Sequence, residues 1–289
     1  MKTIWKNYLD TMQKELGSEV AKTFVESLVL ASHSSEEYAI HFFYRLGRTW
    51  APVIASWAIW IKNRAAHESI ALILRDAKPL QEIPNTHSWK KLYLNRQNCG
   101  IPDELSGDVS ILCHPLLKQY LKENSCENDF TFIDSGCYGT VVLELHKLGI
   151  KFQPLFFFSK NPNIPGFLNE LGFSEKEGEI LNDSLECAFP NIYCRPSEMI
   201  LNERGRVVVP LTSADELSVL FGREALRGVC DESRLYHSCY NETQCVKNLL
   251  SLSAQAKNGI FTGILATASP EWSGKKDFLE HWPKHLSWI

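Results

Sequence analysis

The N-terminal part of the chain has the hydrophobic pattern of amphipathic helices. Between residues 4 and 16, apolar side chains recur at the spacing of one helix face. The same spacing predicts two further helices, over residues 20–30 and 36–46. Pro52 suits the first turn of a fourth helix, which we expect to end near Ala66.

After His67 the pattern changes to short apolar runs separated by loops. Four runs have the composition of buried strands, and two stretches between them have helical spacing. The predicted strands are 69–74, 91–95, 129–133 and 152–158, and the predicted helices are 115–122 and 141–148. A strand, a helix and a strand in succession form a βαβ unit, so we expect an α/β fold with a mostly parallel sheet.

Beyond Phe158 the chain is rich in Asn, Pro and Gly, which indicates irregular structure as far as Leu211, apart from a strand over 206–210. Helical patterning returns over 214–227 and 235–258. We expect three sections, and the pattern leaves open whether they form one domain. They are a helical section over 1–66, an α/β core over 67–211 and a helical section over 212–289.

Composition narrows the class of protein without naming an activity. Hydrophobic residues make up 44% of the 289-residue chain, enough for a sizeable core, which excludes a disordered, collagenous or coiled-coil protein. The 30 Lys and Arg residues against 34 Asp and Glu residues give a net charge of −4. That charge offers no strong attraction to nucleic acid or anionic lipid, so we expect neither as a partner, while a protein partner stays open.

The sequence favours a cytoplasmic protein. Its N-terminus is charged throughout and lacks the apolar segment of a signal peptide. The most apolar run, over residues 50–61, is shorter than the roughly 20 residues that a membrane-spanning helix needs. The nine cysteines are odd in number and contain no CxxC pair, which indicates reduced thiols rather than a disulfide framework.

One loop has the features of a ligand site. The segment Asp134–Thr140, with the sequence DSGCYGT, follows a predicted buried strand and leads into a predicted helix. Ligands of open α/β sheets bind at such strand ends, and a helix N-terminus favours an anion. Gly136 and Gly139 allow the backbone N–H groups to approach a ligand closely. Asp134 could hold a ribose hydroxyl, and Thr140 could cap the helix or donate to a phosphate oxygen.

The alternative interpretation of this loop is a tight strand-to-helix turn in which the glycines serve geometry alone. The remaining loop residues, Ser135, Cys137 and Tyr138, belong to the same candidate binding segment. Cys137 is also a candidate nucleophile, since a helix N-terminus lowers the pKa of a thiol. No arginine closes the loop as a cysteine phosphatase would require, because valines follow Thr140.

Charged residues also follow the two preceding predicted strands. Arg75 and Asp76 come directly after the first strand, and Arg96 comes after the second. Arginine suits phosphate because its planar guanidinium presents a fixed fork of donors. We therefore expect Arg75 and Asp76, and less directly Arg96, to approach the same sheet edge as the loop. A local Arg–Asp pair in a surface turn is the alternative.

Three of these segments together resemble a bacterial α/β module found beside haloacid-dehalogenase-like domains in polysaccharide-cluster proteins. Its strands end in FLARDG, SR and DIGWxGT, which here correspond to Leu72–Asp76, Leu92–Arg96 and Ile133–Thr140. The similarity covers residues 40–210, and Ala77 stands where the module has a glycine. The DxDx[TV] motif of dehalogenase-like phosphatases is absent, so their chemistry is not implied.

The order of parts is also similar to type I phosphoribosyltransferases, and the expected sheet is accordingly Rossmann-like or phosphoribosyltransferase-like. That resemblance implies that Arg75 lies in a pyrophosphate loop and that Asp134 meets ribose hydroxyls. It also implies that Gly136, Gly139 and Thr140 surround a 5-phosphate. Ser135 stands where that family has its second acidic residue.

The leading expectation is a protein that binds a phosphorylated sugar or nucleotide at Asp134–Thr140. A catalytic version would perform a phosphoribosyltransferase-like glycosyl transfer with Asp134 and Arg75 as its catalytic residues, and Mg²⁺ is expected with a diphosphate substrate. One alternative is a phosphate or acyl hydrolase that uses Asp134 or Cys137. The other is a non-catalytic interaction module, which the aromatic tail with Trp272, Trp282 and Trp288 keeps open.

Overall fold

The computed structural model describes most of the chain from residue 35 to residue 234 and two short stretches after it. The predicted helices before residue 35 lie outside the described residues, as does most of the helix predicted over 235–258. The described ranges are 35–74, 77–96, 98–101, 113–189, 199–211, 216–234, 245–247 and 249–250.

Four parallel strands form a sheet in the order β2-β1-β3-β4, which confirms the expected α/β fold. β1 pairs with both β2 and β3, and β3 pairs with β4 from Asn128 opposite Lys151 to Asp134 opposite Phe156. The strands are β1 (Ile70–Ile73), β2 (Lys90–Leu92), β3 (Asn128–Asp134) and β4 (Lys151–Phe156).

Helices flank the sheet, and a small antiparallel hairpin lies between the last two of them in sequence. The helices are α1 (Ser35–Arg64), α2 (Cys113–Glu123), α3 (Thr140–Lys147), α4 (Phe167–Glu170), α5 (Glu175–Ala188) and α6 (Glu216–Ser233). Two short 3-10 helices, Lys78–Glu82 and Pro84–Thr86, connect β1 to β2. The hairpin consists of β5 (Ile200–Leu201) and β6 (Val207–Val208).

Both faces of the sheet are buried. Along β1, Leu72 points to a core shared with α1, α4, α5 and α6, whereas Ala71 and Ile73 point to a core shared with α2 and α3. Strands covered on both faces are largely apolar, which explains why β1, with all four residues buried, and the middle of β3 stand out in the sequence. Within the described ranges, no helix is both long and apolar enough to cross a bilayer.

The sequence prediction is wrong at Pro52, which lies inside the single helix α1 rather than at the start of a new one. An internal proline costs a helix about 3 kcal/mol. Burial of a large apolar surface offsets that cost, because Trp50 and Trp57 on either side of Pro52 are fully buried. Ser56 Oγ also donates to the Pro52 carbonyl at 2.8 Å.

The irregular structure expected as far as Leu211 is also wrong, because α5 occupies residues 175–188. It begins with a capping box. The Ser174 side chain accepts a hydrogen bond from the Glu177 N–H, and the Glu177 side chain accepts one from the Ser174 N–H. The Ser-x-x-Glu spacing that produces this box is visible in the sequence. The other strands and helices predicted in the described ranges are confirmed, with boundaries shifted by a few residues.

α1 and α6 cross at a pair of glycines. A Cβ atom on Gly47 would overlap the carbonyl oxygen of Ala225, and a Cβ atom on Gly228 would overlap that of Tyr44. The two backbones are therefore in direct contact. Arg48 of α1 and Glu232 of α6 also form an ion pair at 2.7 Å near the same crossing.

Replacing Gly47 by Ala tests this crossing, because the close contact should reverse the usual effect of this substitution on the free energy of unfolding. At an open helix position, glycine to alanine stabilises by about 1 kcal/mol, because glycine is a poor helix former. Here the added methyl group meets backbone, so we expect the free energy of unfolding to fall by about 2 kcal/mol or more. Urea denaturation of both proteins measures the difference.

Thr49→Ala is the matched control, since Thr49 is exposed on the same helix. Its free energy of unfolding should change by no more than about 0.5 kcal/mol. A Gly47→Ala protein that is as stable as the parent would contradict the close backbone contact.

Candidate functional site

The direction of the chain across the sheet reverses between β1 and β3. From β1 the chain moves outward to β2 on one side, and from β3 it moves outward to β4 on the other. In open parallel sheets, ligands bind in the crevice beyond the carboxyl ends of the two strands at such a reversal. The loop selected from the sequence, Asp134–Thr140, follows one of these two strands.

The other predicted site residues, which follow β1 and β2, are not brought to the loop by any contact that the structure describes. Arg75 and Asp76 lie outside the described residues, although Leu74 before them and Ala77 after them are described and buried. Arg96 is exposed in the turn that follows β2. β1 separates β2 from β3, so Arg96 is one strand removed from the loop.

The loop after β3 is fixed by hydrogen bonds to the segment after β4. Phe157 N donates to Asp134 O at 3.1 Å, Phe158 N donates to Ser135 O at 2.9 Å and Lys160 N donates to Cys137 O at 2.9 Å. These bonds extend the β3–β4 pairing beyond both strands. The loop is consequently built into the sheet rather than attached to its edge.

Each side chain in the first part of the loop has a defined place. Asp134 is half-buried at the end of β3, and its Oδ1 atom accepts from Ser135 N at 2.9 Å. Ser135 is fully buried, and Cys137 is half-buried. Tyr138, in contrast, is 57% exposed, so it is the loop side chain most open to solvent.

The two glycines of the loop are required for different reasons. Gly136 has φ +127°, and a Cβ atom there would overlap the carbonyl oxygen of Phe158. Gly139 is the N-cap of α3 with φ +78°, and a Cβ atom there would lie 2.7 Å from Ile164 Cδ1. The expectation that Thr140 caps α3 is wrong, because Thr140 is the first residue of the helix itself.

A lysine that the sequence analysis did not select contacts the loop. Lys160 Nζ donates to the Tyr138 hydroxyl at 3.0 Å and lies 4.8 Å from the centroid of its ring. It also forms ion pairs with Glu179 and, at 3.9 Å, with Glu175. The hydrogen bond to Glu179 and then that to Tyr138 hold the pKa of Lys160 above its usual value. The position was accessible from sequence, since Lys160 follows a predicted strand just as Arg75 does.

A cleft of about 410 Å³ opens beside the loop, at the carboxyl end of β4. Its volume is in the range of small-molecule sites, roughly 300–1,000 Å³. Ile164, which a side chain on Gly139 would contact, is part of its wall. The lining residues are Phe158, Ser159, Lys160, Asn161, Pro162, Ile164, Pro165, Gly166, Asn169, Glu170 and Glu175, and we call this the β4 cleft.

A second, smaller cleft lies at the opposite end of the sheet. Its volume is about 330 Å³, and its lining includes Lys118 and Lys122 of α2 and Asn128 at the start of β3. The amino ends of parallel strands are not where ligands of this architecture bind. Its two lysines nevertheless make it the natural control site for any anion.

The described part of the chain contains no cluster of side chains suited to bind a metal ion. No group of three or more His, Cys, Asp or Glu side chains there has the arrangement of a metal site. A magnesium ion in the expected reaction would be bound through the oxygens of a diphosphate, as is usual for this cation.

Lys78 is a buried cation close to the end of β1. It is 8% exposed in the 3-10 helix Lys78–Glu82, which packs on α6. Burial lowers its pKa to about 8, an effect that Glu82 opposes and Arg223 reinforces. Burial also raises the pKa of the Glu82 carboxyl.

The loop glycines give a matched pair of variants. Gly136→Ala should lower the free energy of unfolding by about 3 kcal/mol or more, because the methyl group meets a carbonyl oxygen of the paired segment. Gly139→Ala should cost only about 1–2 kcal/mol, mostly for the left-handed backbone, because the Ile164 side chain can move. Urea denaturation ranks the two, and the reverse order would contradict the described packing of the loop.

The stability of Lys78→Met relative to the parent should be highest below pH 8, where the buried lysine of the parent is charged. Between pH 8 and about 10.4, the unfolded chain binds this proton and the folded chain does not, so the parent gains stability as the pH rises. The relative stability of Lys78→Met should therefore fall across that interval. Urea denaturation at pH 7, 9 and 10.5 measures this trend.

Lys151→Met, at an exposed position, is the control and should show no such trend. A relative stability of Lys78→Met that stays constant with pH would contradict the assigned burial of the ammonium group.

No model of a known protein family matches this chain, and no curated protein matches it significantly. The resemblances based on Arg75-Asp76 and on Asp134–Thr140 stay predictions.

Proposed function

We propose that this protein binds a phosphorylated sugar or nucleotide at the loop Asp134–Thr140. The observation that carries the proposal is the position of the loop. It follows β3 at the point where the chain reverses its direction across the sheet, and it leads directly into α3. Parallel α/β sheets hold ligands at this point, and a helix that starts there favours a phosphate group.

The local geometry supports binding through the backbone. Gly139, the N-cap of α3, has no side chain that could occupy the first-turn N–H groups of the helix. Those groups and the helix dipole favour a phosphate dianion. In this proposal Thr140 adds a hydroxyl donor, while Asp134, whose carboxylate is anchored to Ser135 N, accepts from a ribose hydroxyl.

The proposed chemistry is a phosphoribosyltransferase-like glycosyl transfer. In such a reaction the protein positions the sugar phosphate and stabilises a departing pyrophosphate, and it needs no covalent nucleophile. Arg75 and Asp76 follow β1, the other strand at the reversal, so we assign the pyrophosphate to them. Mg²⁺ would accompany the diphosphate.

The test is a thermal-shift titration with phosphoribosyl diphosphate, ribose 5-phosphate and common nucleotides, with and without Mg²⁺. A ligand at about 100 times its Kd adds roughly 2.7 kcal/mol of stability, which raises the Tm measurably. Asp134→Asn keeps the acceptor for Ser135 N and loses the charge. We expect it to weaken ribose 5-phosphate binding at least roughly tenfold, because a hydrogen bond to a charged group is lost.

Two controls separate this site from others. Asp129→Asn changes a carboxylate near the opposite end of β3 and should leave the affinity unchanged. Lys118→Ala with Lys122→Ala removes the cations of the second cleft and should also leave it unchanged. Binding that depends on the two lysines and not on Asp134 would move the site to the opposite end of the sheet. A protein whose Tm none of the compounds shifts would overturn the proposal.

A further inference from the structure

The β4 cleft lies next to the loop, because two residues of its lining contact the loop. Ile164 of the cleft lies against Gly139, and Lys160 of the cleft is hydrogen-bonded through its N–H group to the carbonyl of Cys137. Tyr138 stands at the boundary, in contact with the Lys160 ammonium group. A ligand with its phosphate at the loop would therefore extend along Lys160 into the cleft.

The frame of the cleft is rigid. The Asn169 side chain accepts from Ser159 N and donates to Ser159 O, both at 2.9 Å. Ser159 Oγ in turn donates to Asn161 O at 2.9 Å and accepts from Asn161 N at 3.1 Å. Gly166 closes the frame, because a side chain there would overlap Asn169 Oδ1. A cavity held in this way exists before a ligand arrives, which reduces the entropy lost on binding.

The charge of the cleft differs from that of the loop. Lys160, the one cation among the lining residues that the structure describes, is already engaged by Glu179, Glu175 and Tyr138. Two carboxylates, Glu170 and Glu175, are part of the lining. Glu170 accepts from Trp60 Nε1 and Arg64, and a carboxylate has acceptor capacity beyond two hydrogen bonds. The cleft therefore suits a group that donates hydrogen bonds and carries no negative charge.

The described lining of the cleft offers no exposed aromatic ring to a nucleobase, and the exposed ring of Tyr138 at its boundary already contacts the Lys160 ammonium group. Among its described lining residues the only aromatic side chain is Phe158, which is 1% exposed and so presents no ring face to a ligand. Bases are commonly held by stacking on exposed aromatic rings. Hydroxyl groups, in contrast, need only acceptors at hydrogen-bonding distance.

From these observations we infer that the β4 cleft binds the hydroxyl-bearing part of the ligand, so that the ligand is a sugar phosphate rather than a nucleotide. This inference rests on the proposed phosphate site and names the class of compound that the site would take. It assigns the phosphate to the loop, one ribose hydroxyl to Asp134, the remaining sugar hydroxyls to the carboxylate-lined cleft, and no specific contact to a base.

Three probes that differ by one group each test the inference: inorganic phosphate, ribose 5-phosphate and AMP. Isothermal titration should show that the ribose group increases affinity about tenfold or more over phosphate, as expected for one or two added hydrogen bonds. Adenine should add nothing. AMP that binds tenfold more tightly than ribose 5-phosphate would overturn the inference in favour of a nucleotide.

Pro162→Trp and Asn163→Trp provide a matched pair of variants. Both positions are exposed, but only Pro162 lines the cleft. Pro162→Trp partly fills the cleft and should lower the affinity for ribose 5-phosphate at least roughly tenfold without changing that for inorganic phosphate. Asn163→Trp should change neither.

The outcomes separate the two proposals. A protein that binds none of the three probes would contradict the phosphate site itself. Binding of phosphate and ribose 5-phosphate with equal affinity, unaffected by Pro162→Trp, would leave the phosphate site intact and overturn only the role of the cleft.

Discussion

The candidate site depends on the pairing of β3 with β4 and its continuation past both strands. Three backbone hydrogen bonds join the end of β3 and the loop after it to the segment after β4, with Phe157, Phe158 and Lys160 as the donors. The loop and the β4 cleft are placed by the same bonds. Because they involve only the backbone, the geometry depends on the peptide chain and on the two glycines that let it pass, Gly136 and Gly139.

The topology adds the chemical asymmetry. A parallel sheet collects all its strand carboxyl ends at one edge, and ligands of open parallel sheets bind where the chain reverses, here between β1 and β3. The start of α3 makes the inner part of this edge attractive to anions, while Glu170 and Glu175 make its outer part unattractive to them. Lys160 lies between the two parts with its charge already compensated by carboxylates. The proposed ligand, with one phosphorylated end and one hydroxylated end, matches this difference in charge.

The sequence predicts the sheet and the loop well, because strands buried on both faces are continuous apolar runs and their ends carry the turn residues. It fails at Pro52, where tertiary burial of Trp50 and Trp57 outweighs a local propensity. The start of α5 can be predicted from the sequence, because the Ser-x-x-Glu spacing of its capping box begins at Ser174. The β4 cleft cannot be predicted in this way. Its shape depends on hydrogen bonds between the Asn169 side chain and the backbone of Ser159, ten residues earlier, and no local sequence pattern encodes such a contact.

Surface loops usually tolerate insertions and deletions, because few contacts fix their length. The loop after β3 is an exception, since the carbonyl groups of Asp134, Ser135 and Cys137 accept in register from N–H groups of the segment after β4. An added residue in either segment would shift the register, so that these N–H and carbonyl groups no longer face each other. In the evolution of this chain the two segments should therefore change length together or keep it, even where their side chains diverge.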